Sequence, residues 1–109
     1  MELNEYQTRA LGTAVYKNWD QQLVCTTLGL SGEAGEVAEK VKKLIRDQDS
    51  VVTEEFKEGV KKELGDVLWY LSTLSHTLGF TLEEVANLNL EKLASRKTRG
   101  VLHGNGDHR

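Results

Sequence analysis

Apolar residues recur three and four positions apart along most of this chain, which is the spacing of one face of an α-helix. The sequence contains no proline, and its glycines mostly stand between the periodic segments. The apolar residues do not alternate with a period of two, which would indicate β-strands. The pattern therefore predicts an all-α protein.

Four helices joined by short loops are expected, in the manner of a four-helix bundle. The first begins at Asn4, with Gln7 completing a capping box, and ends near residues 18–20. The second runs from about Gln21 to Arg46, where a polar run breaks it. Its Gly29, Gly32 and Gly35 indicate either close approach of a neighbour or ligand, or a local break in the helix.

The third helix is predicted to start near Thr53 and to stop at Gly79, a good C-terminal cap. Thr81 and Glu84 form a capping box that opens the fourth helix, which runs to about Lys97. Residues 1–97 are thus expected to form one helical domain. Residues 98–109 are Gly-rich and basic, without helical periodicity, and are expected to form a tail or a lid.

Composition narrows the possible functions. The formal net charge of -3 does not suit general binding to a nucleic acid polymer. The chain has no apolar run long enough for a membrane span and begins without a signal-peptide pattern, so we expect a cytoplasmic protein. A domain of 109 residues with 39% hydrophobic residues has a modest core, which favours a homodimer or homotetramer.

Two pairs of acids carry the candidate chemistry. Glu33 and Glu36 lie three residues apart on the second helix, and Glu63 and Asp66 do so on the third. Glu33 and Glu63 fall close to the apolar stripes, so the pairs face inward, where clustered carboxylates repel one another unless a cation balances them. An all-oxygen ligand set suits Mg²⁺ or Mn²⁺. The alternative is that these are solvated acids, some paired with lysines at positions 40, 43 or 62.

A Glu-x-x-Glu pair followed on the next helix by a Glu-x-x-Asp pair resembles the MazG-like all-α nucleoside triphosphate pyrophosphohydrolases, over roughly residues 33–96. The resemblance implies a MazG fold completed by oligomerisation and Mg²⁺ ligation by Glu33, Glu36, Glu63 and Asp66, with Mn²⁺ as a substitute. It implies hydrolysis of a nucleoside or deoxynucleoside triphosphate to the monophosphate and pyrophosphate, as house-cleaning of the nucleotide pool.

Further residues are assigned on this basis. Asn89, Lys92 and Arg96 resemble the basic element on the family's last helix, where Lys92 and Arg96 would contact phosphate. Tyr70 lies four residues after Asp66, where it either bonds a phosphate oxygen or fills the core.

Trp19 is a candidate for stacking on the nucleobase. Glu36 is the expected general base, with Glu39 one turn further along as the alternative. A non-catalytic helical nucleotide sensor or a protein-interaction module remains the alternative function.

Overall fold

The computed structural model describes residues 1–109 and contains four helices and no strand. The helices are α1 (Leu3–Leu11), α2 (Trp19–Asp47), α3 (Glu54–Thr77) and α4 (Leu82–Thr98). The predicted all-α class and the number of helices are confirmed. None of the four helices combines the length and the apolar character needed to cross a membrane.

The long helices α2 and α3 form a hairpin that is the main packing unit. Asn18 caps α2 by accepting a hydrogen bond from the Gln21 N–H at 2.8 Å. The chain then reverses at Asp49 and Ser50, both with positive φ, and Thr53 caps α3 through the Phe56 N–H at 3.1 Å. Short local interactions therefore fix both ends of the hairpin.

Local chemistry also sets the junction between α3 and α4. Gly79 has a φ of +88°, and the Phe80 N–H reaches back to the Ser75 carbonyl at 3.0 Å in a Schellman arrangement. The capping box of Thr81 and Glu84 is complete, since each side chain accepts from the other residue's backbone N–H. The predicted stop at Gly79 and start at Thr81 are confirmed.

The prediction for the first helix was wrong at both ends. Helix α1 begins one residue earlier than expected and already ends at Leu11. Asn4 does not cap it: its Oδ1 accepts from the Glu83 N–H at 3.1 Å, and its Nδ2 donates to the Glu83 carboxylate at 3.1 Å. The side chain that looked like a local cap therefore caps α4 instead, because tertiary packing brings the two N-termini together.

Gln7 is likewise used between helices and not in a capping box. Its buried side chain donates to the carbonyls of Ser72 and Phe80 at 3.1 and 3.2 Å and accepts from the Leu82 N–H at 3.1 Å. One amide thus joins α1 to the end of α3 and the start of α4. Buried polar groups require such partners because an unpaired one loses its hydration without compensation.

We expect Gln7→Met to lower the free energy of unfolding by about 2–4 kcal/mol, because it removes three hydrogen bonds between helices and leaves the buried Leu82 N–H without a partner. Urea denaturation followed by circular dichroism measures the change. Thr8→Ala, at an exposed neighbour on the same helix, should change stability by less than about 0.5 kcal/mol. Equal stability of the two variants would contradict this role for Gln7.

Helix α4 packs against α1 and α3 but makes no contact with α2. The radius of gyration is 16.8 Å, against about 13 Å expected for a compact chain of this length. Only 9 of 109 residues are buried, so most apolar side chains are left partly or fully exposed. A single chain is consequently an open arrangement of helices around the α2–α3 hairpin.

The three glycines of α2 differ in their surroundings, and the helix continues through all of them. A methyl group at Gly29 would overlap the ring of Tyr70. Nothing lies within 4 Å of the corresponding positions at Gly32 and Gly35. The sequence left open either close approach of a neighbour or a break in the helix. Within this chain a neighbour approaches closely only at Gly29, and the helix is broken at none of the three glycines.

Candidate metal centre

The α2–α3 hairpin brings three of the four predicted acids together. Glu33 from α2 and Glu63 and Asp66 from α3 each offer a carboxylate oxygen, and these atoms lie within 4.8 Å of one another. Glu33 and Glu63 are half-buried, and Asp66 is exposed. Three oxygen donors at this separation could share one metal ion, and with no histidine or cysteine among them they suit Mg²⁺ or Mn²⁺ better than zinc.

Glu36 lies outside this group of three. It is exposed on α2, one turn beyond Glu33, and its charge still acts on the Glu33 carboxyl. The structure therefore places it at the edge of the cluster. Glu39, the alternative base, forms ion pairs with Lys42 and Lys43 at 2.8 and 3.8 Å.

Burial and crowding of negative charge both act on the Glu33 carboxyl. Desolvation raises the pKa of its carboxyl above the ordinary value, and the charges of Asp66 and Glu63 raise it further. A hydrogen bond with Glu63 and the charge of Glu36 act in the same direction. A bound cation would reverse this effect because it favours the ionised form of every carboxylate around it.

Lysine pairing accounts for only part of the cluster. The Lys40 Nζ lies 3.7 Å from Glu63 Oε1, whereas Lys43 pairs with Glu39 and Lys62 forms no ion pair. Glu33 and Asp66 have no basic partner. The alternative of solvated acids, some of them paired, thus fits the paired Glu63 and the exposed Asp66, but not Glu33, which is half-buried and unpaired.

Two tyrosines flank the cluster on different helices. The Tyr70 ring covers Gly29 and meets the Trp69 ring edge to face, with centroids 5.0 Å apart. Tyr6 of α1 was missed by the sequence analysis: burial raises the pKa of its hydroxyl, and the charge of Asp66 adds to this effect. No sequence signal marked Tyr6, because only the packing of α1 on α3 places it near Asp66.

Trp19 is the first residue of α2, where its Nε1–H donates to the Thr77 carbonyl at 3.1 Å. Its side chain is exposed. Glu33 lies 14 residues further along α2, which corresponds to about 20 Å along the helix axis. Within one chain, Trp19 and the three acids are therefore at separate places on the hairpin.

The predicted basic element lies on α4, under the C-terminal tail. Arg96 is 4% exposed, and it and Lys92 contact Asp107 Oδ1 at 3.3 and 3.2 Å. The hydrogen bond from Lys92, and to a smaller extent that from Arg96, lower the pKa of Asp107 below its ordinary value. Asn89 and Lys92 line a cavity of about 670 Å³ on this side of α4. Within one chain, Lys92 and Arg96 form ion pairs with Asp107 and none with Glu33, Glu63 or Asp66.

Comparison with known proteins adds an independent observation. A family model described as the MazG nucleotide pyrophosphohydrolase domain matches residues 21–101. Gene 37 protein of Mycobacterium phage L5 is 46% identical over 114 aligned positions that span 100% of both chains, and its name states no activity. No solved structure matches the chain.

Proposed function

The chain belongs to the MazG nucleotide pyrophosphohydrolase family, and from this membership we propose that it hydrolyses nucleoside triphosphates to monophosphates and pyrophosphate with Mg²⁺ as cofactor. The observation that carries the proposal is the cluster of Glu33, Glu63 and Asp66. Mn²⁺ is expected to substitute, because it accepts the same oxygen ligands. House-cleaning of the nucleotide pool is the corresponding role.

In the proposed reaction, water attacks the α-phosphorus, the bond from this phosphorus to the α,β-bridging oxygen breaks, and pyrophosphate leaves with that oxygen. A divalent ion, when bound by Glu33, Glu63 and Asp66, supplies charge neutralisation and lowers the pKa of water. Glu36 takes the proton of the attacking water. Its place at the edge of the cluster supports this role, because its carboxylate is not among the three close oxygens.

Substrate contacts are proposed for Asn89, Lys92 and Arg96, with the two cations on phosphate. Asp107 already occupies the place between Lys92 and Arg96 that an anionic oxygen would take. The buried Arg96 Nε–H has no acceptor, so this guanidinium has a donor left over for a ligand. Phosphate would therefore exchange with Asp107, and the tail would act as a lid.

We also propose that the active form is a homodimer or homotetramer. Helix α2 packs Thr26 and Leu44 inward, yet Val24 and Leu28 are more than half exposed on its opposite side. A helix with apolar residues on opposite faces is usually buried on both. A second copy would cover this face and could bring α4 to a neighbouring acid cluster. Sedimentation equilibrium measures the state directly, and a monomer at micromolar concentration would contradict the proposal.

The decisive experiment is an assay of pyrophosphate release from a panel of ordinary and modified nucleoside triphosphates with Mg²⁺, Mn²⁺ or EDTA. We expect metal-dependent release together with one equivalent of nucleoside monophosphate. Release of inorganic phosphate instead would contradict cleavage at the α-phosphorus. No turnover by folded protein would favour a nucleotide sensor if the melting temperature responds to nucleotide and Mg²⁺, and a protein-interaction module if it responds to neither.

A further inference from the structure

A second cavity lies at the turn of the hairpin and reaches the acid cluster through Lys40. It has a volume of about 400 Å³ and lies between the end of α2 and the start of α3. Lys40 and Lys43 line it from α2, Thr53 and Gly59 from the α3 side, and Glu55 is its one carboxylate. The lining therefore carries more positive than negative charge, although the chain as a whole is acidic.

Lys40 joins this cavity to the acids. Its Nζ lies 3.7 Å from Glu63 Oε1. The Lys40 side chain passes beside Gly59, where an added methyl group would lie 3.4 Å from the ammonium nitrogen. Gly59 is one helical turn before Glu63, so the absence of a side chain there leaves the place for Lys40. A group that touched Lys40 from the cavity would thus lie next to whatever the acids bind.

Lys43 has only a weak ion pair within its own helix. Its Nζ is 3.8 Å from Glu39, which is beyond hydrogen-bond distance, whereas Lys42 takes the same carboxylate at 2.8 Å. Lys43 can therefore turn to a ligand at little cost. Lys42 is a natural control, because it is a neighbouring lysine that does not line the cavity.

The start of α3 adds hydrogen-bond donors to the cavity. Thr53, its N-cap, lines the cavity, and the first turn of a helix presents amide N–H groups, while Glu54 and Glu55 in the same turn carry negative charge. Two ammonium groups beside a helix N-terminus favour a ligand with several anionic oxygens over a neutral one.

We propose that this cavity binds the two phosphate groups that leave as pyrophosphate, through Lys40 and Lys43. The inference rests on the proposed function, because it assigns the β- and γ-phosphates of the same substrate. The acids hold the reacting end of the triphosphate, and the lysines hold the end that carries the charge of the leaving group. Neutralisation of this charge stabilises the departure of the bridging oxygen with pyrophosphate.

The test is isothermal titration of the full chain with inorganic pyrophosphate in the presence of Mg²⁺, which requires no turnover. We expect Lys40→Met and Lys43→Met each to weaken binding about 10-fold, the loss of one charge-assisted hydrogen bond. Lys40→Arg should restore most of the affinity. Lys42→Met should stay within about twofold of the wild type, because Lys42 contacts only Glu39.

Titration with a nucleoside monophosphate separates the sites, because its single phosphate should bind with the same affinity to the Lys43→Met variant and the wild type. No pyrophosphate binding by the wild type, or the same loss in Lys42→Met as in Lys40→Met, would overturn the inference. Turnover of triphosphates with unaltered KM in both lysine variants would overturn it while the proposed function stands. Lysine-dependent pyrophosphate binding without turnover would overturn the proposed function and leave the cavity assignment intact.

Discussion

Asp66→Asn is expected to reduce turnover on the order of 100-fold or more while the helical fold remains intact. The substitution replaces one of three close carboxylate oxygens by a neutral amide, which lowers the charge available to a divalent ion. Stability should not fall, because the charge of Asp66 helps to raise the pKa of Glu33 and its removal relieves that repulsion. Steady-state kinetics measure the loss of turnover, and thermal melting without metal measures the stability.

Glu63→Gln should lose activity to a similar degree, although it also leaves Lys40 without its ion-pair partner. Glu58→Gln is the matched control: Glu58 is an exposed acid of α3 that pairs with Lys61, and its loss should leave turnover within about twofold. Turnover like that of the wild type in Asp66→Asn would refute the metal centre. Loss of activity with loss of helical structure would show instead that the acids are needed for folding.

Gly29→Ala is expected to destabilise the protein by about 1–3 kcal/mol, although alanine is the better helix former by up to about 1 kcal/mol. The new methyl group would overlap the Tyr70 ring, which is itself packed edge to face against Trp69. The ring must move, and the contact between α2 and α3 loosens. Urea denaturation gives the change in the free energy of unfolding.

Gly32→Ala provides the comparison on the same helix, because nothing lies within 4 Å of the added methyl group. It should be neutral or stabilising by up to about 1 kcal/mol. Combining Gly29→Ala with Tyr70→Leu should recover part of the loss if the two side chains collide. A stabilising effect of Gly29→Ala alone would show that α2 and α3 do not approach as closely as described.

Gly29→Ala and Asp66→Asn together distinguish an effect on helix packing from an effect on catalysis. Gly29 and Tyr70 fix how closely α2 and α3 lie, and this closeness sets whether Glu33 meets Glu63 and Asp66. A loosened hairpin would spread the carboxylates and weaken their hold on a cation. Gly29→Ala should therefore lower activity as well as stability, whereas Asp66→Asn should lower activity alone.

Interactions between near neighbours in the chain could be predicted from the sequence. A capping box needs only Thr81 and Glu84, and a helix end needs only a residue such as Gly79 that tolerates positive φ. The spacing of Glu63 and Asp66 puts both on one helix face for the same reason. These features depend on three or four residues, so the sequence states them directly.

The hydrogen-bond partners of side chains that bond from one helix to another could not be predicted from the sequence. Gln7 and Leu82 are 75 residues apart, and their hydrogen bond exists only because α1 lies across the start of α4. Asn4 and Gln7 satisfied the local rule for a capping box but bond to other helices instead. Gln7 pairs with buried backbone groups, which need partners, and Asn4 bonds the exposed Glu83 because α1 lies beside the start of α4.

The same division runs through the candidate site. The sequence by itself determined the all-α class, three of the four helices to within about two residues, and two acid pairs that each lie on one helix face. Only the tertiary structure decided that Glu36 stands at the edge of the cluster, that Lys40 pairs with Glu63 and that Asp107 covers Arg96. The physical reason is that helical periodicity fixes which face a residue occupies, whereas its partner depends on how helices distant in sequence pack together.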